Sequence, residues 1–502
     1  MQTAAVKHDR RLHLSLPILI VGLGLFGCCL LYESDLIFSV EISLALGTFS
    51  AAWGMIFARH SRYSFLLRLM IVLYAMPFMH CFVYLFPDNL TADRIWGLMV
   101  NPYQMDLEIA ARMTMVGAIG MCAMVLGISL VPLPSELPLR SNPPLPEGRL
   151  GNGGFVLMGI VALIFSWLSA PADTIFEVVH GLSETVLGTI NFNGPWMVSH
   201  VFMLLLFIDA WREERAGFRR FKFLLCWIGL FIIVIILQFM RGDRECIGMI
   251  LALLCLYAGD VRSSVDAVEK TTLVFRRFTH VAVWILLVFA GAQVVGVIRS
   301  LVESESLGTA VHFAIEDSDT FSSGTWSSVL LGPLSVVGDD HSGLLERRWG
   351  QTYIDYTLSI PPGVITQFLG IERPVESGHG PSHDIRFGQG GTHAMVVPFM
   401  NFGVFGVLAV LILYGYVLAR LERRFQKDRS TRYVFLYSTF LLVAPFWFWY
   451  GEMYVVRSLM SFILVWIIYR ALPKSESQAV NHSLAILHGE RPSKAVAPAR
   501  PT

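Results

Sequence analysis

An all-α, polytopic integral membrane protein with about twelve transmembrane helices and one large outer loop is the fold class that this sequence predicts. Three observations predict it. The 502 residues are 54% hydrophobic and only 15% charged, with a mean hydropathy of +0.59, whereas ordinary soluble domains carry about 25% charged residues. Many apolar runs reach the ~18–20 residues that cross a bilayer as a helix. Lys and Arg cluster in alternate loops between those runs, the pattern of a membrane topology. The balance of 38 basic against 38 acidic residues excludes the diffuse basic footprint of a nucleic-acid binder.

Hydropathy marks the spans at 14–32, 35–57, 64–86, 108–131, 154–170, 194–211, 221–239, 245–259, 277–298, 394–419, 432–450 and 454–470. Helix is the only reading of these runs, because in lipid every backbone polar group must pair within its own segment or against protein. The eighth, ECIGMILALLCLYAG, is short and is expected to tilt, re-enter or extend into its flanks. The chain then divides into an N-terminus (1–13), spans one to nine within 14–298, an outer segment (299–393), spans ten to twelve within 394–470, and a tail (471–502).

Orientation follows from the short loops. Lys7, Arg10 and Arg11 precede span one; Arg59 and Arg62 follow span two; Arg140 and Arg149 follow span four. Arg212, Arg215, Arg219, Arg220 and Lys222 follow span six, Arg262, Lys270, Arg276 and Arg277 follow span eight, and Arg420, Arg423, Arg424, Lys427, Arg429 and Arg432 follow span ten. All of these fall on one side, and the opposite loops 87–107 and 171–193 hold only Arg94. Both termini are therefore expected in the cytoplasm. Span one reads as an uncleaved signal anchor, since no A-x-A-like site follows it. The Ser/Pro/Ala/Lys-rich tail reads as a disordered cytoplasmic extension. All seven cysteines lie in or beside apolar runs, so neither a disulfide framework nor a thiolate zinc site is expected.

Two places break the pattern. The short outer loop Gln238-Phe-Met-Arg241-Gly-Asp243-Arg244-Glu245 carries two arginines on the side that avoids them. One reading is an internal ion pair of Arg241 with Glu245 at i,i+4. The other is an anion site at headgroup depth, where planar guanidinium groups grip a phosphate, and a second arginine favours it. The other break is length: 299–393 far exceeds the ~12–15 residues of a passive loop. It holds an apolar stretch from Trp326 to Val337, Asp339-Asp340-His341, Glu346-Arg347-Arg348 and a Gly/His-rich run GHGPSHDIRFGQGGTH. The apolar stretches are expected as short amphipathic helices lying on the membrane surface.

His379, His383 and His393, with Asp384 and Arg386 between them, are candidate catalytic and binding groups in that run. A Gly-Pro between His379 and His383 disfavours the helix that would align them, and no HExxH or third-ligand pattern accompanies them. No metal and no cofactor is expected. Glu41, Arg68, Arg112 and Arg457 lie within or near span ends, where snorkelling or helix pairing accounts for such charges. Arg457 is the best functional candidate of these, beside Glu452 and the aromatic group Trp447, Trp449, Tyr450 and Tyr454, which is expected as an interfacial belt.

The arrangement resembles the Wzy-type polymerases, which assemble O-antigen and related polysaccharides from lipid-linked repeats. The resemblance spans roughly 240–420 and is carried by residues 238–246, by GQTYIDYTLSIPPG with the ERP downstream, and by GGTHAMVVPFMNFGVFGVL at 390–408. In the last run Asn401-Phe402-Gly403 and Gly406 match the family's Asn-Phe-Gly-x-x-Gly span. Members often carry an acid four positions before the Asn; this chain has Val397 there, so no role of that acid carries over.

The resemblance implies a GT-C-like membrane glycosyltransferase at the periplasmic face of the bacterial inner membrane. Its partners would be undecaprenyl-diphosphate-linked oligosaccharide and the lipid bilayer, with a chain-length regulator and a flippase beside it. Arg241, Arg244, Arg386, Arg457 and Asn401 would bind substrate, and His393, Asp384 and His383, in that order, would serve as the base. Two alternatives stand beside it. An O-antigen ligase-like transferase also needs outer arginines and a loop histidine. A polysaccharide or lipid exporter would need a hydrophilic lane, and the midpoints of spans four to nine are almost free of charge.

Overall fold

In the computed structural model the described residues are 21–34, 39–60, 65–79, 102–131, 149–168, 195–215, 221–240, 248–250, 252–253, 256, 318–358, 369–370, 392–427, 430–472 and 474–475. They are helical throughout, apart from turns and one two-residue antiparallel pairing. The helices are α1 (Val21–Glu33), α2 (Val40–His60), α3 (Phe65–Met79), α4 (Leu107–Ser129), α5 (Asn152–Leu168), α6 (Pro195–Arg215) and α7 (Phe221–Met240). After them come α8 (Ser318–His341), α9 (Gln351–Leu358), α10 (Val396–Lys427), α11 (Thr431–Tyr450) and α12 (Met453–Ala471). A 3-10 turn, Pro102–Met105, leads into α4. The pairing joins β1 (Arg149–Leu150) to β2 (Lys474–Ser475).

Helices α1–α7 and α10–α12 overlap ten of the twelve expected spans. Of these α4, α10, α11 and α12 are long and apolar enough to cross a membrane, so the protein is a helical membrane protein. The ninth span lies outside the described residues, as does most of the eighth.

Helix α4 is the axis of the bundle. Asp106 caps it by accepting hydrogen bonds from the Glu108 and Ile109 backbone N–H groups, satisfying donors that a helix start leaves free. Helices α10 and α2 pack along it. The α4–α10 contact is close because both faces lack side chains where they cross. A Cβ on Gly127 would overlap the Ile412 carbonyl, and one on Gly415 would overlap the Met124 carbonyl. Small residues that let backbones touch are the usual device of helix pairs in membranes. Helix α11 packs on α3, and α12 packs on α6.

These contacts define two ends. At one, the starts of α3 and α11 meet the end of α10, where the Tyr437 hydroxyl accepts from the Leu66 N–H and donates to Glu422. The pairing of Arg149 with Ser475 closes the same end, which also carries Arg420, Arg423, Arg424, Lys427 and Arg432. At the other end the start of α4 meets the end of α8, the start of α9 and the start of α10.

Two expectations are corrected there. The stretch from Trp326 to Val337 is not a short surface-lying helix; it belongs to the 24-residue α8, whose residues 329–339 are buried against α3, α4 and α10. Apolar residues on every side of that segment suit a helix enclosed by others, not one lying half in water. Trp447 and Trp449 likewise form no interfacial belt. They are 3% and 6% exposed, and the Trp449 indole N–H donates to the Leu73 carbonyl inside the bundle.

Candidate functional site

The site is built on a fault in α10. Phe402 (φ −139°, ψ 15°) and Gly403 (φ 66°, ψ −157°) leave helical geometry, and Gly403 occupies a region open essentially to glycine alone. Pro398 and Gly406 would lie about 12 Å apart along an unbroken helix. Instead a Cβ on Gly406 would overlap the Pro398 carbonyl, so the chain doubles back. Residues 392–401 form a short inner arm and 404–427 the long outgoing helix. One apolar run in the sequence is therefore a hairpin.

Breaking a helix frees carbonyls that would otherwise accept from the next turn, and in a membrane protein they must find other donors. The segment 347–350 supplies them. The Arg347 guanidinium donates to the Phe399 carbonyl at 2.9 Å, the Arg348 N–H to Met400 at 3.1 Å, and the Trp349 N–H to Asn401 at 3.2 Å. The Gly350 N–H donates to the Asn401 side-chain oxygen at 2.8 Å, while the Asn401 amide donates to the Val397 carbonyl. Trp349 accepts an unfavourable positive φ of 47° to hold this register. Arg347 also pairs with Asp340 at 2.7 Å and lies 4.9 Å over the Phe399 ring. Burial raises the Asp340 carboxyl, and the Arg347 charge opposes that rise.

The floor of the hairpin is His393. It is fully buried, edge-on to the Tyr74 and Phe78 rings at 4.5 and 5.0 Å. Its Nε2 lies 3.1 Å from the Tyr74 carbonyl and its Nδ1 accepts from the Met395 N–H. That pairing places the proton on Nε2 and leaves the imidazole neutral. Burial pushes its pKa down to about 4. Thr392 and Ala394 donate to the Trp449 and Phe448 carbonyls, tying the inner arm to the end of α11.

Beneath α9 lies a second group. Glu452, in the tight turn between α11 and α12, is 4% exposed. The Tyr414 hydroxyl donates to its Oε1 at 2.8 Å, and Oε2 has no hydrogen-bond partner among the described residues. Burial pushes the carboxyl up to about 7, against the opposing effect of the Tyr414 bond. Tyr353 of α9 stands beside it; burial and then the Glu452 charge raise its phenol. Tyr356 of α9 packs with Val397 and Met453. Trp447 lies against the Tyr414 ring at 4.8 Å, and its indole N–H is also unpartnered among the described residues.

Of the expected site residues, the structure brings His393 and Asn401 into one hairpin, where both nitrogens of the imidazole and both ends of the amide are engaged in holding the chain. Arg457 stands on α12 over the Tyr454 ring at 5.9 Å. Arg241, Arg244, His383, Asp384 and Arg386 lie outside the described residues. Arg112 pairs with Glu108 at i,i+4, and His341 approaches the same carboxylate at 3.6 Å. Asp339 accepts from Tyr103 and Asp340 from Arg347. Among the described residues no three His, Cys, Asp or Glu side chains are grouped to hold a metal ion.

Glu452 and the Arg347–Gly350 clamp are what sequence reasoning missed. Glu452 was visible only as an acid between two spans, and Arg347 only as part of a charged triplet. The signal for the hairpin was present in Asn401-Phe402-Gly403 and Gly406. Comparison of the chain with protein-family models, with curated proteins and with solved structures finds no match.

Proposed function

We propose that the protein is a glycosyltransferase of the bacterial inner membrane. It polymerises undecaprenyl-diphosphate-linked oligosaccharide repeats into a surface polysaccharide, an O-antigen, capsule or exopolysaccharide, on the periplasmic side. The observation that supports this most is the hairpin. It fixes Arg347 at the break of a membrane helix, at the end of the bundle opposite the basic one. Lys/Arg-rich ends face the cytoplasm, so in this reading both termini are cytoplasmic, the chain crosses twelve times, and the hairpin faces the periplasm.

Diphosphate is a good leaving group, so the reaction needs charge neutralisation more than a strong acid. Arg241, Arg244, Arg386 and Arg457 are the groups assigned to it. A base for the acceptor hydroxyl adds about 10²–10⁴-fold; Asp384 and His383 remain candidates, while His393 supports the site from within the fold. Two measurements test the reading. Reporter fusions after Arg149 and Lys270 should read cytoplasmic and one near Gly350 periplasmic; a cytoplasmic signal at 350 removes the outer-leaflet chemistry. A strain lacking the protein should display single-repeat glycan. Complete absence of attached glycan would point instead to an O-antigen ligase-like transfer.

A further inference from the structure

We infer that Glu452 is the proton acceptor for the hydroxyl that attacks the lipid-linked sugar, with Oε2 receiving the proton. The assignment rests on the transferase reading above and gives Glu452 the base role for which that reading holds Asp384 and His383 as candidates. Its first support is isolation. A buried carboxylate normally has both oxygens satisfied, yet Oε2 of Glu452 has no partner among the described residues although it is inaccessible to water. The second is the company it keeps. The Trp447 indole N–H, beside the same Tyr414, is a buried donor likewise without a partner among the described residues. A sugar hydroxyl carries a proton to donate, so it suits the unfilled Oε2, whose sister oxygen is held by the Tyr414 on which the Trp447 ring packs.

The third support is position. Tyr414 lies about 16 Å along α10 from the Gly403 break, so Glu452 sits under the hairpin, inside the bundle, where an ionisable group is costly to keep. It faces Tyr414 of α10 and Tyr353 of α9, with Arg457 further along its own helix. Helix α9, eight residues long with Gln351, Ile354, Thr357 and Leu358 exposed, brings Tyr353 beside the carboxyl, and with Glu452 only 4% exposed the acceptor reaches it when this packing opens.

In the step itself the hydroxyl O–H bond breaks and its proton passes to Oε2. The oxygen forms a bond to the anomeric carbon, the anomeric C–O bond to diphosphate breaks, and that electron pair leaves with the lipid diphosphate. Glu452 then returns its proton to water. The near-neutral carboxyl keeps a useful fraction of the basic form available at working pH.

The test uses full-length protein in liposomes, with lipid-linked glycan extracted from a strain lacking it as the probe. Glu452→Gln retains the shape of the protonated side chain, so membrane abundance and melting temperature should match wild type while elongation falls at least about 100-fold. Tyr414→Phe removes the bond that favours the charged form. The acid limb of its pH–rate profile should move to higher pH, a shift that a packing role alone would not produce. If wild type elongates the glycan while Glu452→Gln stays within threefold of it and Tyr414→Phe keeps the wild-type limb, the assignment is overturned and the polymerase reading stands. If wild type leaves the extract unchanged, the polymerase reading fails and this assignment with it.

Discussion

Two buried glutamates on the α10–α12 side of the bundle make opposite use of the same carboxylate. Glu422, at the basic end, is 1% exposed and fully bonded: Tyr437 donates to Oε2 at 2.9 Å and Gln426 to Oε1 at 3.0 Å. Phe425 stacks on the Tyr437 ring at 3.9 Å, closing the joint. Glu452, under the hairpin, is 4% exposed and bonded through one oxygen only. Burial alone therefore does not distinguish a structural acid from a chemical one. The two differ here in the number of satisfied lone pairs, and an unfilled acceptor in a dry site has free energy to gain from a ligand that donates to it.

The largest expected effect separates the two directly. Glu452→Gln should lower elongation by two decades or more, equivalent to about 2.7 kcal/mol of barrier, with abundance unchanged. Glu422→Ala should do the reverse. It strands the Tyr437 hydroxyl and the Gln426 amide, at about 1–3 kcal/mol for each unsatisfied group, so the melting temperature and membrane abundance drop while turnover per folded molecule stays near wild type. If both variants lost activity in proportion to abundance, the two acids would be equivalent and the distinction would collapse.

Next in size is the break in α10 at Gly403. Gly403→Ala places a side chain at φ 66°, ψ −157°, against the Glu33 carboxylate and the Arg347 guanidinium. A cost of about 1–3 kcal/mol is expected from the backbone alone. Limited proteolysis near residue 350 should accelerate, since the clamp loses its register on Asn401. Unchanged cleavage would mean that the hairpin does not need a glycine there.

A smaller effect comes from His393. Its folded pKa of about 4 lies below the ordinary ~6.5. Its contribution to stability is therefore complete above about pH 6.5 and is lost as pH falls towards 4. The melting temperature of detergent-solubilised protein should decline across that window, and His393→Gln should flatten the decline. Smallest of all is metal removal. Asp339 and Asp340 are taken up by Tyr103 and Arg347, so EDTA should leave the elongation rate within about twofold, and recovery by Mg²⁺ after a larger loss would reassign these acids as ligands.

Hydropathy made ten helices legible, because a bilayer-length apolar run has one stable conformation. It could not show that 394–419 doubles back, since both arms of the hairpin are apolar; only Gly403 and Gly406 within the run carried that information. It read 326–337 as a surface helix because the surrounding loop is polar, whereas the enclosure comes from α3, α4 and α10, which are remote in sequence. Asn401 and His393 stood out as residues and do sit at the hairpin, yet their polar atoms are spent on Val397, Gly350, Tyr74 and Met395. Glu452 does not stand out in the sequence, because a charge in a two-residue turn between spans has an ordinary explanation. Its unfilled oxygen is a fact of packing that no one-dimensional pattern records.

The most direct measurement is reconstitution. Full-length protein, purified into liposomes with the lipid-linked glycan that accumulates in a strain lacking it, should convert that glycan into a ladder spaced by one repeat, with free undecaprenyl diphosphate released for each repeat added. Lipid-linked glycan that remains a single repeat, with no diphosphate released, would contradict the account.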